Sequence, residues 1–210
     1  MIMNKFHPLT ITSIARITAD AVAISFDVSN NALFQFETGQ YITIKNDING
    51  EEVRRAYSIC STNKEGVTIG VKKVESGKMS TFLTEKIKIG DMLEVMPPSS
   101  NFVIKGDNKH IVGICAGSGV TPILSMIKTE LAKDSAAKFT LIYGNKTKVS
   151  SMSADELEQL QADNSDRLKI HNAYSREGVA GAINGRLDKN TIQQLLNTFL
   201  PIKTADAYFI

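Results

Sequence analysis

Ile114-Cys115-Ala116-Gly117-Ser118-Gly119-Val120-Thr121-Pro122 decides how this chain is read. The apolar run from His110 to Ala116 predicts a buried strand, Gly-Ser-Gly a tight turn, and Pro122 onward a helix. Thr121 suits an N-cap, and Pro122 suits the first helical position, where its missing N–H is of no consequence. Glycines let backbone come close to a pyrophosphate, and the free N–H groups of a helix N-terminus attract its charge. In an open α/β sheet, the crevice at the carboxyl ends of the strands is where nucleotides bind. The pattern is not G-x-G-x-x-G, and taken alone a plain tight turn would look the same.

Downstream of this turn, strands and helices alternate. A helix is expected from Pro122 to Lys133, a strand from Lys138 to Tyr143, and a helix from Ala154 to Ala162, with Ser153 and Glu156 as a capping box. A strand from Leu168 to Ala173, a helix from Lys189 to Phe199 and a strand from Ala205 to Ile210 follow. This alternation predicts a parallel sheet covered on both faces. Upstream, the period is two. Val22, Ile24, Phe26 and Val28 alternate with polar neighbours, and Leu9 to Ile17 does so in part. Further strands are expected at Tyr41 to Lys45, Arg55 to Ser61, Val67 to Val74 and Met92 to Met96, with one helix from Ser80 to Ile87. Short strands separated by glycine turns predict an antiparallel barrel or sandwich. The polar run Lys105-Gly106-Asp107-Asn108-Lys109 is the expected linker, giving a β domain over residues 1–106 and an α/β domain over residues 107–210.

The chain has 210 residues, enough for two domains of about 100 each. A net charge of +2 and the lack of any Trp argue against a nucleic-acid partner. The apolar runs are too short to span a bilayer, and the N-terminus has no signal-like segment. The expectation is a cytoplasmic soluble protein. Cys60 and Cys115 read as reduced core thiols, and His7, His110 and His171 lack ligand spacing, so no metal site is expected.

A second segment carries chemistry: Arg54-Arg55-Ala56-Tyr57-Ser58-Ile59-Cys60-Ser61. Arg55 and Tyr57, two apart on a strand, share a face. A cation pairs with pyrophosphate, an aromatic ring packs on a planar ring system, and the Ser58 hydroxyl can bond a ring nitrogen. An edge strand with a solvated Arg and a packed Tyr is the plainer reading of that segment by itself.

R-x-Y-S in a β domain, followed by G-x-G-x-T-P in an α/β domain, resembles the ferredoxin–NADP⁺ reductase family over nearly the whole chain. Phe6-His7-Pro8-Leu9, Val53 to Ser61, Leu93-Glu94-Val95-Met96-Pro97-Pro98 and Gly185-Arg186-Leu187-Asp188 are most like the reductase components of phenylacetyl-CoA epoxidase systems. The resemblance implies FAD as cofactor and NADPH, or NADH, as electron donor. Arg55 would contact the FAD pyrophosphate, Tyr57 pack on the isoalloxazine, and Ser58 sit near flavin N5. Gly77, Lys78, Met79 and Ser80 match a second pyrophosphate site at a helix start. Gly117, Ser118, Gly119, Thr121 and Pro122 would cradle the nicotinamide nucleotide, Thr121 near the nicotinamide. Ser175 and Arg176 resemble a pocket for the 2′-phosphate of NADPH, with Lys146 and Arg186 adding charge. Tyr57, Ser58 and Thr121 are thus the candidates nearest the reacting atoms.

The implied activity moves a hydride from NADPH to FAD and then single electrons to an iron–sulfur domain or oxygenase. Family members continue into a Cys-Gly-Pro motif and, in this subgroup, a [2Fe–2S] domain. This sequence stops at Ala207-Tyr208-Phe209-Ile210, so a cluster is expected only in a longer form, and the chain reads as truncated or as a natural short form. Two alternatives stand beside this reading: a reductase for another partner, such as a flavohaemoglobin, and a flavin-binding module without turnover.

Overall fold

The computed structural model describes residues 5–29, 31–106, 109–133, 136–199 and 206–209. The chain divides into two compact units, Met1–Ile104 with Leu124–Met126, and Lys105–Ile123 with Ile127–Ile210.

The first unit is a curled antiparallel sheet. Its strands are β1 (His7–Thr18), β2 (Ala21–Phe26), β3 (Tyr41–Ile48), β4 (Glu51–Ser58), β5 (Thr68–Lys72) and β6 (Met92–Ser99), in spatial order β4-β3-β6-β1-β2-β5. β1 pairs with β6 through His7 to Thr10 and with β2 from Ile11 on, so one long strand serves both halves of the curl. The two edges meet where Ile59 bridges Ile69 and the Cys60 N–H donates to the Thr68 carbonyl at 2.9 Å. That contact relieves the exposed-edge problem of an open sheet. Alternation places Val22, Ile24 and Phe26 in the interior with Ile11, Ile42, Ile44, Ile59, Ile69 and Leu83, the last from helix α1 (Lys78–Glu85).

β4 begins earlier than expected, at Glu51, because Asn49-Gly50 makes a two-residue hairpin after β3. Both residues have positive φ, 58° and 78°, the twist that this type of hairpin requires. The strand ends at Ser58 rather than Ser61, and Ile59 continues only as the isolated bridge. β6 runs through Pro97 and Pro98 to Ser99.

The second unit is a parallel sheet of β7 (His110–Ala116), β8 (Lys138–Asn145), β9 (Leu168–Tyr174), β10 (Ile183–Asn184) and β11 (Asp206–Phe209), in order β10-β9-β8-β7-β11. The two-residue β10 was not expected, being too short to show a period. Helices α2 (Val120–Leu131), α3 (Ala154–Asp163) and α4 (Lys189–Phe199) connect the strands. On one face Val112, Ile114 and Ile142 pack with Leu195 of α4. On the other, Gly113 lies under α2. A Cβ there would come within 2.7 Å of Ile123 Cγ2 and 3.1 Å of Phe139, so only glycine admits this close approach. β11 pairs in parallel with β7 from Asp206 opposite Ile111 to Phe209 opposite Ile114, as expected of the last strand; Ala205 and Ile210 lie outside the described residues, as do Asp107 and Asn108 of the expected linker.

Arg167 closes the far end of α2. Its guanidinium donates to the carbonyls of Glu130 (2.8 Å), Leu131 (3.1 Å), Lys133 (3.5 Å) and Ala137 (3.2 Å). Those last-turn carbonyls have no partner inside the helix and carry its negative dipole end.

Three local expectations are corrected. Thr121 is not the N-cap of α2. A 3-10 turn, Gly117–Gly119, runs into the helix, Gly119 is the cap, and Thr121 and Pro122 lie within the first turn. Ser153 does precede α3, but in the left-handed region at φ 55° with no side-chain cap bond, so no Ser153–Glu156 box forms. The reciprocal capping pair sits earlier, between Thr147 and Ser150 of a 3-10 turn. Cys115 is buried, as a core thiol should be, whereas Cys60 is only partly buried, with Sγ 3.4 Å from the Thr68 carbonyl.

Candidate functional site

In the first unit, the odd-numbered face of β4 carries Glu51, Val53, Arg55 and Tyr57. Val53 and Tyr57 turn toward the core, while Arg55 lies on the exposed edge strand. The Arg55 Nη1 donates to the Arg54 carbonyl at 2.7 Å. Tyr57 stands opposite Ile42, and burial pushes its phenol up to about 12 against the opposing pull of Arg55. Ser58, opposite Tyr41, projects to the other face, so Tyr57 and Ser58 flank the strand end rather than share one surface.

The start of α1 lies beside this strand. Gly77 is the N-cap and offers no side chain, so none caps the first N–H groups of Lys78, Met79 and Ser80. A Cβ on Gly77 would sit 2.5 Å from Ser80 Oγ and 3.0 Å from the Val74 carbonyl, which makes glycine necessary. The Ser80 hydroxyl is occupied within the turn. It accepts from the Val74 N–H at 3.1 Å and lies 3.2 Å from the Gly77 carbonyl. Met79 is a core side chain, 2% exposed. Ser80 and Met79 therefore offer an anion their backbone N–H groups, and Lys78 its ammonium as well. Lys78 is ion-paired with Glu51, whose carboxyl is held below the usual range first by Lys78 and then by Arg55. Glu51 thus ties the Arg55 strand to the start of α1. Uncapped N–H groups, a bare glycine and two cations fit the pyrophosphate end of a flavin dinucleotide.

In the second unit, the Gly117–Gly119 turn stands at the carboxyl end of β7. Gly117 has φ 54°, and a Cβ there would meet nothing within 4 Å, so the turn faces open space. No side chain caps α2, and Ser118 is exposed. Thr121 is 5% exposed, and its hydroxyl donates to the Ser118 carbonyl at 2.9 Å. Thr121 and the buried Pro122 accordingly shape the turn from beneath. Tyr143, on β8, was not singled out from the sequence. Its hydroxyl lies 2.9 Å from the Gly117 carbonyl and 3.3 Å from that of Met152, and burial pushes its phenol far up. A tyrosine in an otherwise aliphatic buried strand is the signal, since a buried phenol needs an acceptor.

Ser175 and Arg176 follow β9. The Ser175 N–H donates to the Asn145 carbonyl at 3.0 Å and the Arg176 N–H to that of Lys146 at 2.9 Å, so the loops after β8 and β9 run side by side. Lys146 and Arg176 are both exposed, and Arg176 makes no ion pair among the described residues. Arg186 is exposed after β10. The histidines are structural in kind: His110 Nε2 lies 2.9 Å from Thr140 Oγ1, and burial lowers both His110 and His171.

Comparison with known proteins agrees with this layout. The oxidoreductase FAD-binding domain family matches residues 8–104, and the oxidoreductase NAD-binding domain family matches residues 114–210. The chain is 35% identical over 215 residues to a component of the 1,2-phenylacetyl-CoA epoxidase of Escherichia coli, covering 99% of this chain and 60% of that protein. It is 32% identical over 181 residues to the ferredoxin reductase component of 3-ketosteroid-9-alpha-monooxygenase of Rhodococcus rhodochrous, covering 83% of this chain and 51% of that one. The chain thus spans half to three-fifths of the length of these relatives. Among solved structures, the FAD/NAD-binding domain of nitric oxide dioxygenase from Vibrio cholerae has the same fold, with TM-score 0.85 at 22% identity over 98% of this chain and 87% of that one. With an FAD-binding family matched in its curled β unit and an NAD-binding family in its parallel α/β unit, the chain belongs to the FAD- and NAD-binding oxidoreductases of the ferredoxin–NADP⁺ reductase-like family.

Proposed function

We propose that this chain is the flavin- and nicotinamide-binding part of a cytoplasmic reductase that draws electrons from NADPH and delivers them to an iron–sulfur or oxygenase partner. The pathway it suits is aromatic degradation of the phenylacetate type, the setting named for the Escherichia coli relative. The observation carrying the reading is that each unit offers an uncapped helix N-terminus behind glycine: α1 beside Arg55 and Lys78, and α2 behind Gly117–Gly119.

When bound, FAD supplies the chemistry of accepting two electrons as a hydride and releasing them singly. The chain's residues bind and orient. Arg55, with Lys78 and the backbone N–H groups of Met79 and Ser80, holds the flavin pyrophosphate after Gly77. Tyr57 offers a neutral ring for packing, since its phenol keeps its proton up to about pH 12. Ser58 places a hydroxyl at the end of the same strand. Gly117, Ser118 and Gly119 accept the dinucleotide backbone, Thr121, Pro122 and Tyr143 hold that turn in shape, and Ser175 and Arg176 receive the 2′-phosphate.

The test is the visible absorption spectrum of the purified, FAD-reconstituted protein before and after NADPH. A flavin band that bleaches supports the reading. A bound flavin that NADPH leaves oxidised would favour a binding module without turnover, and failure to bind flavin would remove the flavin assignment.

A further inference from the structure

The ion pair between Glu51 and Lys78 is out of keeping with a site built for an anion. Lys78 is the first residue of α1, where uncapped N–H groups and Arg55 gather positive potential. Into that place the β3–β4 hairpin delivers a carboxylate. Asn49-Gly50 turns the chain so that Ile48 faces Glu51, and the strand's alternation then puts Glu51 on the same face as Arg55 and Tyr57. The next acidic residue, Glu52, falls on the opposite face and pairs with Arg54 at 2.6 Å. The chain thus carries two adjacent glutamates with separate partners, and only Glu51 engages cations of the proposed pyrophosphate site.

We propose that Glu51 is an internal counter-anion of the flavin site: it holds Lys78 while the site is free and yields it when a pyrophosphate arrives. This inference rests on the flavin reading above. Both members of the pair are exposed, with side chains 54% and 60% accessible, so the pair adds little to the fold and is easily exchanged. Two negative groups competing for one ammonium repel each other, and the carboxylate lowers the affinity for the dinucleotide. A chain lacking that carboxylate binds FAD more tightly. Glu51 is a positioning residue whose effect passes through Lys78.

The experiment is a fluorescence titration of the flavin-free 210-residue chain with FAD, at low and at moderate salt. Glu51→Gln is expected to tighten FAD binding about fivefold at low salt, or about 1 kcal/mol, and less as salt screens the site. Glu52→Gln is expected to leave the affinity unchanged. Lys78→Met weakens binding, and adding Glu51→Gln to it produces no further tightening, because the competition has lost its object. Circular dichroism confirms that each variant is folded. If wild type binds FAD and Glu51→Gln binds equally or more weakly, the counter-anion proposal is overturned and the flavin reading survives. Tightening that persists in the Lys78→Met background also overturns it, since the effect would then not pass through Lys78. If no folded variant binds FAD, both the proposal and the flavin reading fall.

Discussion

Replacing Arg55 by alanine separates binding from folding unusually well. Arg55 is exposed on the edge strand β4, and its guanidinium bonds only to the neighbouring Arg54 carbonyl while lowering the Glu51 carboxyl through space. No buried group loses a partner when it goes, so the fold should change by no more than about 0.5 kcal/mol, as for surface substitutions generally. A charge-assisted contact to phosphate contributes about 1.5–3 kcal/mol, or about 10- to 150-fold in affinity. Because the residue is exposed and screened, the lower end applies, and FAD binding should weaken about tenfold at moderate salt. Calorimetric titration with FAD measures this, with a thermal unfolding curve to show that stability is unchanged. Arg54→Ala is the matched control. Arg54 projects to the other face, bonds Glu52 at 2.8 Å and lies 5.1 Å from the Phe6 ring, so its loss should leave FAD affinity within about twofold. Equal FAD affinity for wild type and Arg55→Ala, or equal losses in the two variants, would refute the placement of pyrophosphate on this face.

Further outcomes are expected elsewhere. Arg176→Ala should weaken NADPH about tenfold and spare NADH in steady-state comparison; a wild type that prefers NADH, or equal losses for both, counts against the 2′-phosphate assignment. Arg167→Met removes four carbonyl contacts at the end of α2 and should lower unfolding stability by about 2–3 kcal/mol in urea titration, whereas a change under about 0.5 would show that water replaces them. Gly113→Ala forces a methyl to within 2.7 Å of Ile123 and should destabilise by about 1–3 kcal/mol, read from the same titration; a neutral result would mean that α2 can shift outward. Tyr57 ionises near 12 when folded and near 10.0 when unfolded, so its contribution is complete below pH 10.0 and lost as pH rises toward 12; ultraviolet phenolate titration of wild type against Tyr57→Phe should show one phenol missing from that upper range.

How far the chain could be read without its structure depended on the range of the interactions concerned. Period-two alternation at Val22, Ile24 and Phe26, and strand–helix alternation after His110, follow from burial of one face of each element. Both are local patterns, so the antiparallel β unit, the parallel α/β unit and the Gly117–Gly119 turn were legible from the residues alone. R-x-Y-S and G-x-G-x-T-P together also pointed to the oxidoreductase family that the two matched domains show. Cap positions were not legible, because a 3-10 turn before α2 and a left-handed Ser153 before α3 shift a helix start by a residue or two without altering composition. Nor were the contacts that shape the site: the Tyr143 phenol reaching Gly117, Arg167 closing α2, and Glu51 meeting Lys78. Each joins residues far apart in the chain, and only the register of the sheets brings them together. The sequence by itself determined which elements form and which chemistry they carry; the tertiary structure alone decided which side chains meet, because a strand's register and face are set by the neighbours it pairs with.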